Sequence, residues 1–286
     1  MKILVTGAAG RLGSAVCRTL AEADMEVVGL DCVRRDGLPV EMHVVDVLET
    51  LSLYSFVEGC DGVVHLANHL SERSRHPEQL VYRENVAMNM NAFHAAVDAG
   101  ARHIIYSSSV QAFSGTRDGR EDIGKPSCLP YLPVDGEAPA LPGNVYGLSK
   151  QAGENQLRYF ARVTPGLACT AIRFPYLATG RRRYHHHHHH EHRHLSRLDE
   201  CFAYLHVEDG ARLILAVLQQ QEPGYHQIFA AAPDTFLDDP LPEIIEEFYP
   251  DVPLKVPAEE MESLADLAAL EEQFGWKPQH TGMFEE

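Results

Sequence analysis

The chain has a single tryptophan, no CxxC pair among its six cysteines, and no apolar run near the roughly 18 residues that a membrane span requires. Cys17, Cys32, Cys60, Cys128, Cys169 and Cys201 lie far apart, which argues against a disulfide framework and for reduced thiols in a cytoplasmic protein. Positive charge is also scarce. Against 41 Asp and Glu there are 24 Lys and Arg, and the net charge of −17 excludes a general affinity for nucleic acid or anionic membrane. No internal repeat is present. The N-terminus, MKILVTGAAG, passes from a strand into a glycine turn, so no cleavable leader is expected. What remains is 286 residues, 45% apolar, enough for one domain or one domain with a small attached lobe.

Short β-rich apolar runs alternate with helical stretches. Strands are expected at Lys2–Thr6, Glu26–Asp31, Val40–Val45, Gly62–Ala67 and His103–Ser108. Helices are expected over Arg11–Ala23 and from about Glu78 to Ala99. Runs such as EVVGL and GVVHLA are apolar throughout, as strands covered on both faces must be. Repeated βα units imply right-handed crossovers, hence an α/β fold with a doubly wound parallel sheet of Rossmann type and a small C-terminal substrate-binding lobe. Residues 114–145 read as a long loop, followed by a helix from about Tyr146 to Arg162 and a strand at Cys169–Arg173. A further βα pair is expected at Ala203–His206 and Asp209–Gln220, and a final helix near Ser263–Gln273. The boundary falls at 175/176, with 203–232 returning to the sheet.

Gly7-Ala8-Ala9-Gly10-Arg11-Leu12-Gly13 lies between the first strand and the first helix. The first glycine permits the tight turn, the second lets backbone N–H groups approach a pyrophosphate, and the third lets helix pack on strand. Asp31 closes the second strand 18 residues after Gly13, where a carboxylate accepts hydrogen bonds from ribose hydroxyls and repels a 2′-phosphate. That favours NAD over NADP, although Arg34 and Arg35 follow closely and Asp31 also reads as a turn residue. Asp46-Val47 is positioned either to meet an adenine or to cap a helix.

Tyr146 and Lys150 are four residues apart at the start of a helix and therefore share a face. A lysine ammonium there, with a nicotinamide cation, lowers the phenol pKa toward that of a working base. Ser107-Ser108-Ser109 closes the preceding strand, where a hydroxyl can hold a substrate oxygen.

In order along the chain, these features resemble the extended short-chain dehydrogenase/reductase family, the NAD-dependent epimerase/dehydratase group. The resemblance covers nearly the whole chain: the glycine turn, Asp31, VVHLAN at 63–68, Asn85, YSSS at 106–109, YGLSK at 146–150, Arg173-Phe174-Pro175, YLHVEDGA at 204–211 and FGWKP at 274–278. It implies that Tyr146 is the acid/base, that Lys150 holds the cofactor ribose and tunes Tyr146, and that Ser109, with Ser108 next, is the active hydroxyl. Cofactor contacts are then expected from Gly7, Gly10, Arg11, Leu12, Gly13, Asp31, Asp46, Val47, Leu66, Ala67, Asn68, Asn85, Ser107, Tyr146, Lys150 and Pro175, and no metal site is expected. The long helix and the Tyr146 helix form the family's usual dimer interface, which implies a homodimer. Two departures stand out. Phe113 replaces a tyrosine common in sugar epimerases, and Asn68 replaces a small residue.

Family members that act on nucleotide-linked sugars carry a long insert after the Arg-Phe-Pro stretch. Here only about thirty residues separate Arg173 from Tyr204, and the chain ends soon after FGWKP, so there is little polypeptide for a nucleotide pocket. The length resembles relatives such as uronate dehydrogenases. The reading is an NAD-dependent oxidoreductase acting on a hydroxyl of a small sugar or sugar acid. The alternatives are an epimerase or dehydratase with tightly bound NAD, and a catalytically silent NAD sensor. Eight of the 17 histidines sit in Arg181–His194, including the run His185–His190. A solvated loop is favoured there over a substrate lid or a metal site, because a homopolymeric run supplies no fixed second shell. His65, His103 and His206 read as structural, and Met88 and Met90 as packing.

Overall fold

The computed structural model describes residues 1–70, 76–114, 127–179, 195–220, 222–237 and 239–282. The strands β1 (Lys2–Thr6), β2 (Glu26–Asp31), β3 (Glu41–Val44), β4 (Gly62–His65), β5 (His103–Ser109) and β6 (Ala168–Phe174) are joined in one sheet by Gly224–Phe229. Two short strands, β7 (Tyr176–Ala178) and β8 (Tyr204–His206), precede that last strand, β9, and pair with each other apart from the main sheet. The seven-stranded order is β3-β2-β1-β4-β5-β6-β9, and every pairing is parallel. Strand order reverses between β1 and β4, and the crevice at the C-terminal ends of these strands is where such sheets take ligands.

Helices cover both faces, as the apolar strands require. On one side α1 (Arg11–Glu22) and α5 (Val207–Gln220) bury Leu12, Val16, Leu213 and Val217 against β1 and β6, with α7 (Ala268–Phe274) and Trp276 closing the end. On the other, α2 (Thr50–Val57), α3 (Glu78–Asp98) and α4 (Val145–Val163) bury Leu53, Phe93 and Leu157 against β4 and β5. A third core, built from Phe113, Leu132, Phe202, Phe229, Ile244 and Tyr249, holds the C-terminal lobe, which includes α6 (Leu241–Phe248). Among the described residues no helix is long and apolar enough to cross a membrane. All six cysteines are free thiols, four of them buried.

The expected elements recur with shifted ends. β4 stops at His65 rather than Ala67: Leu66 N still donates to Thr6 O at 3.2 Å, but Ala67 N turns to the Thr6 hydroxyl at 3.3 Å, where it lies against Gly7. The last helix starts at Ala268, since Ser263 accepts from Ala265 N and keeps that stretch non-helical, and Gly275 ends it with a left-handed φ of 60°. Helix α2 was not anticipated: it buries only Leu53 and Val57, too few apolar positions to show a period. Part of the expected 114–145 loop and the whole of Arg181–His194 lie outside the described residues.

One buried ion pair ties these layers together. Arg173 on β6 meets Glu154 on α4 through two parallel bonds, Nε to Oε1 at 2.8 Å and Nη2 to Oε2 at 2.9 Å. Its Nη1 donates to the carbonyls of Gly136 (3.2 Å) and Ala138 (2.6 Å), and Ser108 Oγ of β5 donates to Glu154 Oε1 at 2.6 Å. Both charged side chains are almost wholly buried. Removing one partner strands the other charge. Glu154→Ala is therefore expected to destabilise the fold by about 3–5 kcal/mol, and Glu154→Ala with Arg173→Met by clearly less than the sum of the singles. Denaturant midpoints of the four proteins check this; additive losses would contradict it.

Candidate active site

The turn after β1 is shaped by backbone, not side chains. Gly7 has φ +71°, and a Cβ there would sit 2.8 Å from Ala67 N. At Gly13 a Cβ would lie 2.0 Å from Gly7 O, so only glycine lets α1 seat against the turn. Gly10 caps α1 with no side-chain hydrogen bond, which leaves the first amides of the helix for an anion. These residues, with Arg11 and Leu12, form one end of a cleft of about 770 Å³. Asp31, Asp46, Val47, Leu66, Ala67 and Asn68 line the same cleft, and so do Ser107, Ser109, Tyr146 and Pro175 beyond them.

Asp31 accepts from Ala9 N (Oδ2, 2.9 Å) and Val33 N (Oδ1, 3.2 Å), so its carboxylate is fixed at the tip of β2. Arg35 lies over the same turn, Nη1 donating to Ala9 O at 2.9 Å, while Arg34 pairs with Asp36. Asp46 accepts from Leu48 N and does not cap α2, whose N-cap is Glu49. Asn68 donates to Leu66 O, and its buried Oδ1 has no hydrogen-bond partner. An orphaned buried acceptor costs free energy, and in a cleft it marks a place for a ligand donor.

Ser109 and Tyr146 are brought together in the cleft, where the Ser109 hydroxyl favours the ionised phenol. Tyr146 stands above its ordinary pKa because burial dominates; Ser109 lowers it and the Glu200 charge raises it. Lys150, expected to lower the phenol pKa, is not among the groups that set it in the chain itself. Lys150 is buried behind the cleft wall, donating to Ser107 O at 2.8 Å, with its ammonium 5.3 Å from the Tyr146 ring centre and 5.1 Å from that of Tyr106. Burial pulls it down to about 7, opposed by the Glu154 carboxylate.

His65 packs beneath this group, its Nδ1 2.7 Å from Thr6 Oγ1 and its Nε2 3.1 Å from Asn89 Oδ1. Burial, then the Lys150 charge, pull it down to about 3, so it is neutral.

Two expected site residues have other partners, and the Phe113 departure lies in the lobe core. Ser108 is committed to Glu154, which leaves Ser109 as the hydroxyl facing Tyr146. Asn85 does not line the cleft. Its amide nitrogen donates to His69 O and Ser149 Oγ and its oxygen accepts from His69 N, clamping the segment after β4 to α4. Phe113 is a lobe-core residue under Arg173, 5.4 Å from the Phe229 ring, and not a substrate-side position. Conversely, Gln111, Glu200, His69, Glu84, Tyr176 and Leu177 line the cleft and carried no spacing that marked them.

The profile of the NAD dependent epimerase/dehydratase family matches residues 3–231. The chain belongs to that family. It is therefore an enzyme of an NAD-dependent class. Along 99% of its length it is 25% identical to UDP-glucose 4-epimerase of Corynebacterium glutamicum, covering 92% of that protein. It is 31% identical over 166 residues to an NAD-dependent glucose-6-phosphate dehydrogenase of Haloferax volcanii, a match spanning 55% of this chain and only 62% of that one. A crystal structure of a uronate dehydrogenase variant from Agrobacterium tumefaciens, complexed with NAD, superposes with a TM-score of 0.65 over 98% of this chain and 84% of its own, at 22% identity, a likeness of fold.

The Lys150 environment predicts a pH signature. Its folded pKa near 7 lies below the ordinary 10.5, so between these values the unfolded chain binds more protons and stability rises with pH. Up to about 1.4 kcal/mol per pH unit is expected from this group. Between pH 7 and 9, chemical denaturation of the wild type should show a steeper rise than Lys150→Met; equal slopes would reject a depressed Lys150.

Proposed function

We propose that this enzyme is an NAD-dependent oxidoreductase acting on a secondary alcohol or lactol of a small sugar or sugar acid. The observation that carries the reading is the meeting of Ser109 and Tyr146, with Lys150 behind them, in the cleft that opens from the glycine turn. In this reading the first amides of α1 hold the pyrophosphate, Asp31 the adenosine ribose, and Asn68 Oδ1 a further donor of the dinucleotide. The fixed Asp31 carboxylate opposes a 2′-phosphate and favours NAD over NADP. NAD, when bound, supplies the hydride acceptor and a positive charge near the phenol. Ser109 orients the substrate oxygen, Tyr146 takes its proton, and Lys150 stabilises the tyrosinate. Only about thirty residues join Arg173 to Tyr204, which supports a small substrate held by a lobe over 176–286. The NAD-dependent sugar-phosphate and uronate dehydrogenases among the relatives support the same direction.

A panel of small aldoses and sugar acids with NAD is expected to give NADH in proportion to product. Tyr146→Phe should lower kcat by about two to four orders of magnitude while leaving NAD binding intact. Conversion without net NADH would instead establish an epimerase, and binding of NAD with no turnover of any sugar would favour a sensor.

We also propose a homodimer through α3 and α4, which expose Tyr82, Met90, Leu148 and Tyr159. Sedimentation should return twice the chain mass; a single-chain mass rejects the pairing.

A further inference from the structure

Two helix caps flank the meeting of Ser109 and Tyr146, and one side chain ties them together. Ser109 caps the 3₁₀ turn Val110–Ala112, its Oγ accepting from Gln111 N at 3.2 Å. Asn144 caps α4, its Oδ1 accepting from Gly147 N at 2.7 Å, and Tyr146 lies in the turn that this bond closes. The tie has a fixed direction. Gly147 N can only donate, so Asn144 presents its oxygen there and its amide nitrogen to Gln111 Oε1, 3.0 Å away. Gln111 then turns its own nitrogen to Glu200 Oε1 at 3.1 Å. Flipping the Asn144 amide would set donor against donor at Gly147 and acceptor against acceptor at Gln111.

Backbone contacts already bring the two segments alongside. Leu141 N donates to Ala112 O and Gly143 N to Ser114 O, each at 2.9 Å, and a Cβ on Gly147 would lie 2.1 Å from Gln111 O. The Asn144 amide adds a hold on Gln111 itself, whose N–H occupies one acceptor site of the Ser109 hydroxyl. A serine hydroxyl has one proton to donate and two sites at which to accept. With Gln111 N on one site, the Ser109 proton is left for the cleft, where the hydroxyl favours the ionised phenol of Tyr146. A single 3₁₀ turn has weak internal bonds and takes its position from such outside ties.

We infer that Asn144 is a positioning residue: through Gln111 it holds the Ser109 hydroxyl in the orientation that serves Tyr146, a task separate from capping α4. Asn144 does not itself line the cleft, whereas Gln111 does. The inference rests on the oxidoreductase reading above, in which Tyr146 is the base.

Asn144→Ser separates the two tasks. Serine caps a helix about as well as asparagine but is too short to reach Gln111, whereas Asn144→Ala removes cap and tie together. In chemical denaturation the serine variant should keep the wild-type midpoint and the alanine variant should fall below it. With NAD and a sugar that turns over, both variants should lose about tenfold in kcat with KM for NAD unchanged. The acidic limb of the kcat–pH profile should move to higher pH, because weaker support from Ser109 leaves the phenol harder to ionise. Gln111→Leu, which leaves the cap in place, should lower kcat at least as much, and adding Asn144→Ser to it should lower kcat no further. Amide exchange followed by NMR needs no turnover: in Asn144→Ser the Gln111 N–H should exchange at least about tenfold faster, with the Gly147 N–H unchanged. An unchanged kcat or an unchanged Gln111 exchange rate in Asn144→Ser would make Asn144 a cap alone and overturn the inference. An additive loss in the double variant would overturn it as well. Should Asn144→Ser lose stability too, the combination with Gln111→Leu decides. If no sugar turned over, the oxidoreductase reading would fail, and the Gln111 exchange rate alone would decide the role of Asn144.

Discussion

The Arg173–Glu154 pair is the constraint on which the rest of the site depends. It joins β6 to α4, takes up the Ser108 hydroxyl of β5, and draws the carbonyls of Gly136 and Ala138 onto the same guanidinium. Because Glu154 lies one helical turn beyond Lys150, the register of α4 against β5 is set here, and with it the distance from Lys150 to Ser107. Desolvating two charges is expensive, and only a bidentate geometry with every remaining donor satisfied offsets it. Arg173 comes close to that condition: four hydrogen bonds from Nε, Nη1 and Nη2 converge on one carboxylate and two carbonyls. The segment around Gly136 is held equally closely from the other side, where a Cβ would lie 2.1 Å from Gln227 O. The lobe is thus fastened to the sheet at the same point that aligns α4.

Burial around this fastening sets the electrostatics. It raises the Tyr146 phenol, depresses the Lys150 ammonium and keeps His65 neutral. A protonated His65 would set a second cation near Lys150 in a low-dielectric interior, so the bonds to Thr6 and Asn89 serve a neutral imidazole. Glu154 works against the desolvation of Lys150, while the Tyr106 ring and Ser107 O give its ammonium a defined seat. The ion pair therefore acts twice, once on geometry and once on charge.

How much of this could be read from sequence follows the range of the interactions. The glycine turn, Asp31 and the Tyr146–Lys150 spacing were legible because each is a local device: a backbone conformation, a strand end, one helix face. The alternating apolar strands revealed the sheet for the same reason, and α2 stayed hidden because two buried side chains make no period. Asn85 and Ser108 were found as polar residues near the site, yet their partners, Ser149 and Glu154, lie 64 and 46 residues away, and only the fold shows that those partners use them up.

The side of the cleft lined by Gln111 and Glu200 lies at the far end of this scale. Gln111 and Glu200 are 89 residues apart and belong to no motif. What relates them is the direction of the Gly147 amide, passed through Asn144 as a strict sequence of donors and acceptors. Such a relay has no periodicity, composition or spacing to detect, since any residue of suitable length could occupy each step. The half of the cleft built from backbone is therefore written in glycines, and the half lined by Gln111 and Glu200 in side-chain polarity that appears only once the chain has folded.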